Sequence, residues 1–136
     1  GLELSRRFRA LKVWMILKIR GTDALAGAIQ RNIDLRRYLD QRIAAEPDLE
    51  PLGSELSIAC FRFRPPQVQP DMDLNDLNRR ILESVIPKGR VFMSPTELEG
   101  RYVLRVCIVN FRTRPQHIDL LVNEVLQAGR QLTRTS

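Results

Sequence analysis

A single histidine, His117, and two separated cysteines, Cys60 and Cys107, are all that this chain of 136 residues offers toward imidazole or thiolate chemistry. A zinc site would need carboxylates recruited from unpatterned positions, because no metal-ligating spacing is present. No serine, cysteine or aspartate stands around His117 in a triad-like arrangement, so it reads as a surface or capping residue. A glycine-rich phosphate loop and a paired-carboxylate motif are both missing. No apolar run approaches the ~18 residues of a membrane span, and no stretch has the order of a secretory signal. The first residue is Gly1 rather than methionine, as in a cut or tagged chain. Both cysteines lie in apolar, strand-like runs and read as core thiols of a reducing, cytoplasmic setting.

Lysine is scarce as well: Lys12, Lys18 and Lys88 stand against 19 arginines, within a net charge of +6. A positive balance suits nucleic acid, an anionic membrane surface or an acidic partner. The opening stretch SRRFRALKVW tests the first of these. Arg6, Arg7, Arg9 and Lys12 spread over most of a helical wheel, whereas a phosphate track needs its cations on one side. Phe8, Leu11, Met15 and Ile19 fall on one flank of the same wheel and Val13, Ile16 and Leu17 on the other. The segment therefore reads as a helix covered on several sides, with arginines that reach carboxylates or carbonyls, or snorkel outward.

Periodicity predicts a helix from about Arg6 to Arg20 that ends or kinks at Gly21, then a second from Thr22 to about Ala45. Leu25, Ile29, Leu39 and Ile43 form the stripe of the second, with Ile33 at its margin. Leu49 to Pro51 predicts a short strand and Leu56 to Arg64 a longer one, separated by Gly53-Ser54. An amphipathic helix with an acidic cap at Asp71 follows, through Leu74, Leu77, Ile81, Leu82 and Val85. Arg90 to Met93 reads as a strand, Ser94 to Gly100 as a turn and Tyr102 to Val109 as a strong strand. Ile118, Leu121, Val125 and Leu132 mark the last helix. The order ααββαββα predicts an α+β fold, a small, mostly antiparallel sheet covered by helices.

Arg105 is the sharpest signal. In YVLRVCIV, Tyr102, Leu104, Val106 and Ile108 alternate with Val103, Arg105, Cys107 and Val109, so a guanidinium interrupts one of two apolar faces. Such a group is costly unless paired. It meets a protein carboxylate, lies at an exposed position, or opens onto a site that binds an acid, for which its planar fork is suited. Arg62 and Arg64 alternate with Phe61 and Phe63 at a strand end, where a solvent face is the ordinary outcome.

Several runs in order, SRRFRALKVW, KIRG, IACFRFRP, VFMSPTELEGRYVLRVCIVNFRT and DLLVNEVLQAGRQL, resemble the pyridoxal-phosphate-dependent group II amino-acid decarboxylases. That group includes the aromatic-L-amino-acid, tyrosine, histidine and glutamate enzymes, and the RRFRxLKxW run leans toward the aromatic branch. Ser5 departs from the glycine often found there. The resemblance implies the C-terminal portion of such an enzyme: residues 1–46 as a helical segment linking large and small domains, and residues 47–136 as the C-terminal domain of a fold-type-I enzyme. It implies pyridoxal phosphate in the intact enzyme, none bound to this fragment, and no catalytic lysine here, since Lys12, Lys18 and Lys88 stand outside the family's cofactor motif. It implies a homodimer acting on an amino acid, without nucleic acid or membrane as partner. Arg105, in Tyr102-Val103-Leu104-Arg105, matches the family's strand arginine and is implied to hold the substrate α-carboxylate. Two other readings remain open at this level: a basic α+β nucleic-acid-binding module, and a non-catalytic oligomerisation domain in which Arg105 belongs to a buried ion pair.

Overall fold

The computed structural model describes the backbone of residues 2–85, 92–108 and 113–134, and side chains from residue 24 onward apart from 92. In chain order the elements are α1 (Leu2–Ala45), β1 (Leu49–Glu55), β2 (Ile58–Phe63), α2 (Leu74–Val85), β3 (Phe92–Leu98), β4 (Arg101–Cys107) and α3 (Pro115–Arg134). The chain divides into two units, Gly1–Arg31 and Asn32–Ser136. The described part of the first is helical throughout. The second holds the last turns of α1, the sheet and the other two helices. The α+β class expected from the sequence is what the fold shows.

The expected break at Gly21 is corrected: α1 is one helix of 44 residues. A lone glycine costs a helix only about 1 kcal/mol against alanine, and it ends one only where the chain turns away after it. The buried stripe near the end of α1 also differs from the expected one, being Leu35, Leu39 and Ile43 at a spacing of four, while Ile29 is exposed.

The four strands form one antiparallel sheet in the order β1-β2-β4-β3. Pro51 and Pro95 lie on the two edge strands, where a missing N–H leaves no ladder bond empty. This is why Ser94 to Leu98, expected to be turn, extends as strand β3. The real turn is Glu99-Gly100, both at positive φ (54° and 78°), as a tight hairpin of that twist requires. Likewise Gly53-Ser54 is not the turn between β1 and β2. Gly53, at φ 121°, lies where the register slips between Pro51 and Ser54 as a bulge, and the hairpin turns at Leu56-Ser57.

One face of the sheet carries Ala59, Phe61, Phe63, Met93, Leu104 and Val106 into a single core. Leu39 and Ile43 of α1, Leu77, Ile81 and Val85 of α2, and Ile118, Val122 and Val125 of α3 complete it. Each large apolar side chain buried there is worth roughly 1.5–3 kcal/mol. The cap of α2 is Asp73 rather than Asp71: its Oδ1 accepts from the N–H groups of Asn75 and Asp76 at 3.1 and 3.2 Å. His117 closes the first turn of α3, its Nδ1 accepting from the Arg114 N–H at 2.9 Å while its own N–H donates to Arg114 O.

Two asparagines on α2 hold the sheet where β2 and β4 part. The ladder between those strands runs from Ile58 and Cys107 to Phe61 and Leu104 and goes no further. Beyond it, Asn78 accepts from the Phe63 N–H at 2.8 Å and donates to Phe63 O at 3.1 Å. Asn75 does the equivalent for β4, accepting from Tyr102 N–H at 2.9 Å and donating to Gly100 O. Asparagine is a poor helix former, so two in the first turns of α2 mark side chains committed elsewhere.

α1 and α3 are clasped by Asp119, which accepts from the Tyr38 hydroxyl and from Arg42, the latter also reaching Asn123. The hydrogen bond from Tyr38 holds the Asp119 carboxyl below its usual range, and Arg42 adds to this. The same bond pushes the Tyr38 hydroxyl above its usual value. A lowered folded-state pKa stabilises above the unfolded value, ~4, and that contribution drains away as pH falls through the folded value. The raised tyrosine acts in the opposite sense, stabilising below ~10 and fading as pH rises through its folded value. The stability difference between this chain and Asp119→Asn, measured by urea unfolding, should be flat from about pH 5 to 9 and shrink below about pH 4. A difference that persists unchanged to pH 2 would remove the carboxylate from the clasp.

Candidate functional site

Alternation along β4 sends Leu104 and Val106 into the core and Arg101, Val103, Arg105 and Cys107 to the opposite, more open face, where Val103 is fully buried and the other three are half-buried. Register then sets the neighbours of Arg105: Cys60 stands opposite on β2 and Ser94 on β3. The expectation that both cysteines are core thiols is corrected. Cys60 and Cys107 are free and half-buried, and both lie on this open face beside Arg105. Burial pushes the Cys60 thiol up, and the Arg105 guanidinium opposes the shift.

Arg62 is also corrected. It is not solvent-facing but only 8% exposed, and its Nε donates to Glu50 Oε2 at 2.8 Å. Arg64 is exposed as expected, 3.8 Å from the same oxygen, and Arg101 lies 3.7 Å from Glu50 Oε1. Glu50 faces Arg62 directly across the β1–β2 hairpin. Three guanidinium groups thus gather on one carboxylate at one end of the open face. Arg105, one diagonal step from Arg62, makes no hydrogen bond or ion pair with any described residue. Of the openings left at sequence level, a structural ion pair for Arg105 finds no partner among the described residues. A half-buried guanidinium, flanked by thiols and a hydroxyl on the middle of a sheet, can take a carboxylate through two parallel N–H bonds.

Glu50 is the residue that sequence reading missed. With the hairpin turn placed at Gly53-Ser54, its register opposite Arg62 could not be seen; both the turn at Leu56-Ser57 and the one-residue bulge between Pro51 and Ser54 are needed to set it there. Several arginines elsewhere are matched in the same manner, Arg36 on Asp40, Arg79 and Arg80 on Asp76, Arg130 on Glu46 and Asp48, while Arg37, Arg114 and Arg134 are exposed. Exposed pairs of this kind add at most about 1 kcal/mol each, but they occupy the cations that a phosphate track would need. The opening cluster of Arg6, Arg7, Arg9 and Lys12, and the side chains of Trp14, Lys18 and Lys88, lie outside the described residues. So does Val109. Among the described residues no group of three or more histidine, cysteine and carboxylate side chains could hold a metal ion, and no helix is long and apolar enough to cross a membrane.

No protein-family model matches the chain. Tyrosine decarboxylase 2 of Arabidopsis thaliana is 34% identical over 86% of the chain, and aromatic-L-amino-acid decarboxylase of Bacillus atrophaeus is 34% identical over 87%. The chain covers 22% and 25% of these two proteins. In fold it resembles Oryza sativa TDC, solved with PLP, with a TM-score of 0.75 at 20% identity over 92% of this chain and 27% of that one. Over most of its length, then, this chain is a sequence relative of the aromatic amino-acid decarboxylases, matching about a quarter of each of them.

Proposed function

We propose that the chain is the C-terminal portion of a pyridoxal-phosphate-dependent amino-acid decarboxylase that acts on an aromatic L-amino acid, and that Arg105 holds the substrate α-carboxylate. Residues 1–46 serve as the helical link to a large domain and 47–136 as the small domain. The observation that carries the reading is the state of Arg105, mid-strand, half-buried and without a partner among the described residues, while the arginines around it are matched. The sequence relatives support the class, and the PLP-bound Oryza sativa TDC supports the cofactor.

The described side chains do not themselves fit pyridoxal phosphate. They include no lysine, and the open face offers guanidinium, thiol and hydroxyl groups where a Schiff base needs an amine. The cofactor belongs to the polypeptide outside this chain, where it supplies an electron sink for the pair left when CO₂ departs. This chain orients the carboxylate, and alone it decarboxylates nothing. The intact enzyme is a cytoplasmic homodimer with no nucleic-acid or membrane partner.

The test uses the full-length decarboxylase that carries this chain. Replacing Arg105 with Gln removes a charge-assisted, bidentate contact, and kcat/KM for the aromatic amino acid should fall about ten- to a hundredfold. The amine product has no carboxylate, so its inhibition constant should stay within about twofold. Equal loss for amino acid and amine would place Arg105 in the fold rather than on the carboxylate.

A further inference from the structure

The open face carries an uneven distribution of charge. Arg105, opposite Cys60, is one diagonal step from Arg62 at the end of the β2–β4 ladder; beyond the ladder Arg62, Arg101 and Arg64 are drawn together by Glu50. Residues on such a diagonal stand about 7–8 Å apart, within reach of arginine side chains. Among the described residues, Glu50 is the acid that gathers several of them, while Arg101 also reaches Glu99 at 3.3 Å. The two oxygens of Glu50 take Arg62 at 2.8 Å, Arg101 at 3.7 Å and Arg64 at 3.8 Å, and leave Arg105 alone. Glu50 is anchored by its place in β1 opposite Arg62, so it gathers cations toward the β1 edge and away from Arg105.

We infer that Glu50 is a specificity-determining positioning residue: by engaging Arg62 it leaves Arg105 as the free guanidinium among the described residues of the face, which suits a substrate with one carboxylate and disfavours one with two. Were Arg62 released, a second cation would stand a diagonal step from Arg105, placed to take the side-chain carboxylate of an acidic amino acid. The inference rests on the proposed role of Arg105, and the two are separable by experiment.

The 136-residue chain, labelled with ¹⁵N, is titrated with 3-phenylpropanoate as a monocarboxylate and glutarate as a dicarboxylate, reading the arginine Nε–Hε signals. In the unsubstituted chain the Arg105 signal should move with both ligands, with affinities within about threefold of each other, and the Arg62 signal should stay fixed. In Glu50→Gln, glutarate should tighten about tenfold while 3-phenylpropanoate changes less than about twofold. In the double variant Glu50→Gln/Arg62→Met, which removes the buried charge with its partner, the ratio should return to that of the unsubstituted chain. An unchanged ratio in Glu50→Gln overturns the role of Glu50 and leaves that of Arg105 standing. An Arg105 signal that ignores both ligands overturns both. Should Glu50→Gln not fold, the unsubstituted chain decides: an Arg62 signal that tracks glutarate shows that Glu50 does not hold it back.

Discussion

Replacing Asn78 with Ala should cost the fold about 3–4 kcal/mol, a large part of the stability of a small domain. Asn78 is fully buried and makes three hydrogen bonds, two to the backbone of Phe63 and one, at 2.8 Å, to Leu74 O. Phe63 closes the described part of β2, past the point where β4 stops pairing with it, so no strand can take over its N–H. The alanine leaves that donor and the Phe63 carbonyl buried with less than their complement, each worth about 1–3 kcal/mol, and offers only a small gain in helix propensity. Urea unfolding measures it: the midpoint should fall by about 1–2 M at unchanged slope. The same change at Asn75, which is half-buried, should cost about 1 kcal/mol. A loss below about 1 kcal/mol at position 78 would show that water enters and replaces the amide.

Gly129→Ala should also destabilise, against the ordinary expectation for a helix interior. On propensity alone the change would gain about 1 kcal/mol. The Cβ it adds would stand 2.5 Å from Cδ2 and Cε2 of Phe63 and 2.7 Å from Cγ. Phe63 is 1% exposed, locked between β2 and α3, so the ring cannot withdraw without moving the core. Overpacking of this kind costs typically about 1–3 kcal/mol and outweighs the propensity gain. Thermal unfolding should show a midpoint lower by roughly 3–10 °C, and Gly129→Val should be worse. In a Phe63→Leu background the alanine should cost much less, because the smaller side chain vacates the space; the two sites are coupled. A raised midpoint in Gly129→Ala would show that the Phe63 ring yields freely.

Both predictions involve residues that a pattern-based reading passes over. Asn78 and Gly129 look like weak points in otherwise regular helical periods, and their reasons lie across the molecule in Phe63. The apolar stripe of α2, by contrast, was visible in Leu77, Ile81, Leu82 and Val85, because burial on one face of a helix imposes its own period. Turns were less legible. Leu56 and Glu99 take positive φ although neither is glycine or asparagine, and Ser94-Pro95 reads as a turn until an edge strand is seen to tolerate proline.

The candidate site divides in the same manner. Alternation in YVLRVCIV singled out Arg105 from sequence, since period two separates the faces of any strand and a charge within an apolar run is conspicuous. Sequence also sufficed for the α+β class, which follows from the order of periodic segments. Which of the neighbouring arginines is neutralised could not be read that way. Arg62 looked as exposed as Arg64 because its partner Glu50 lies in another strand, across a hairpin whose bulge shifts the register by one residue. Such a slip exchanges the two faces of a strand, so the pairing that buries Arg62 and leaves Arg105 open was decided only when the sheet formed.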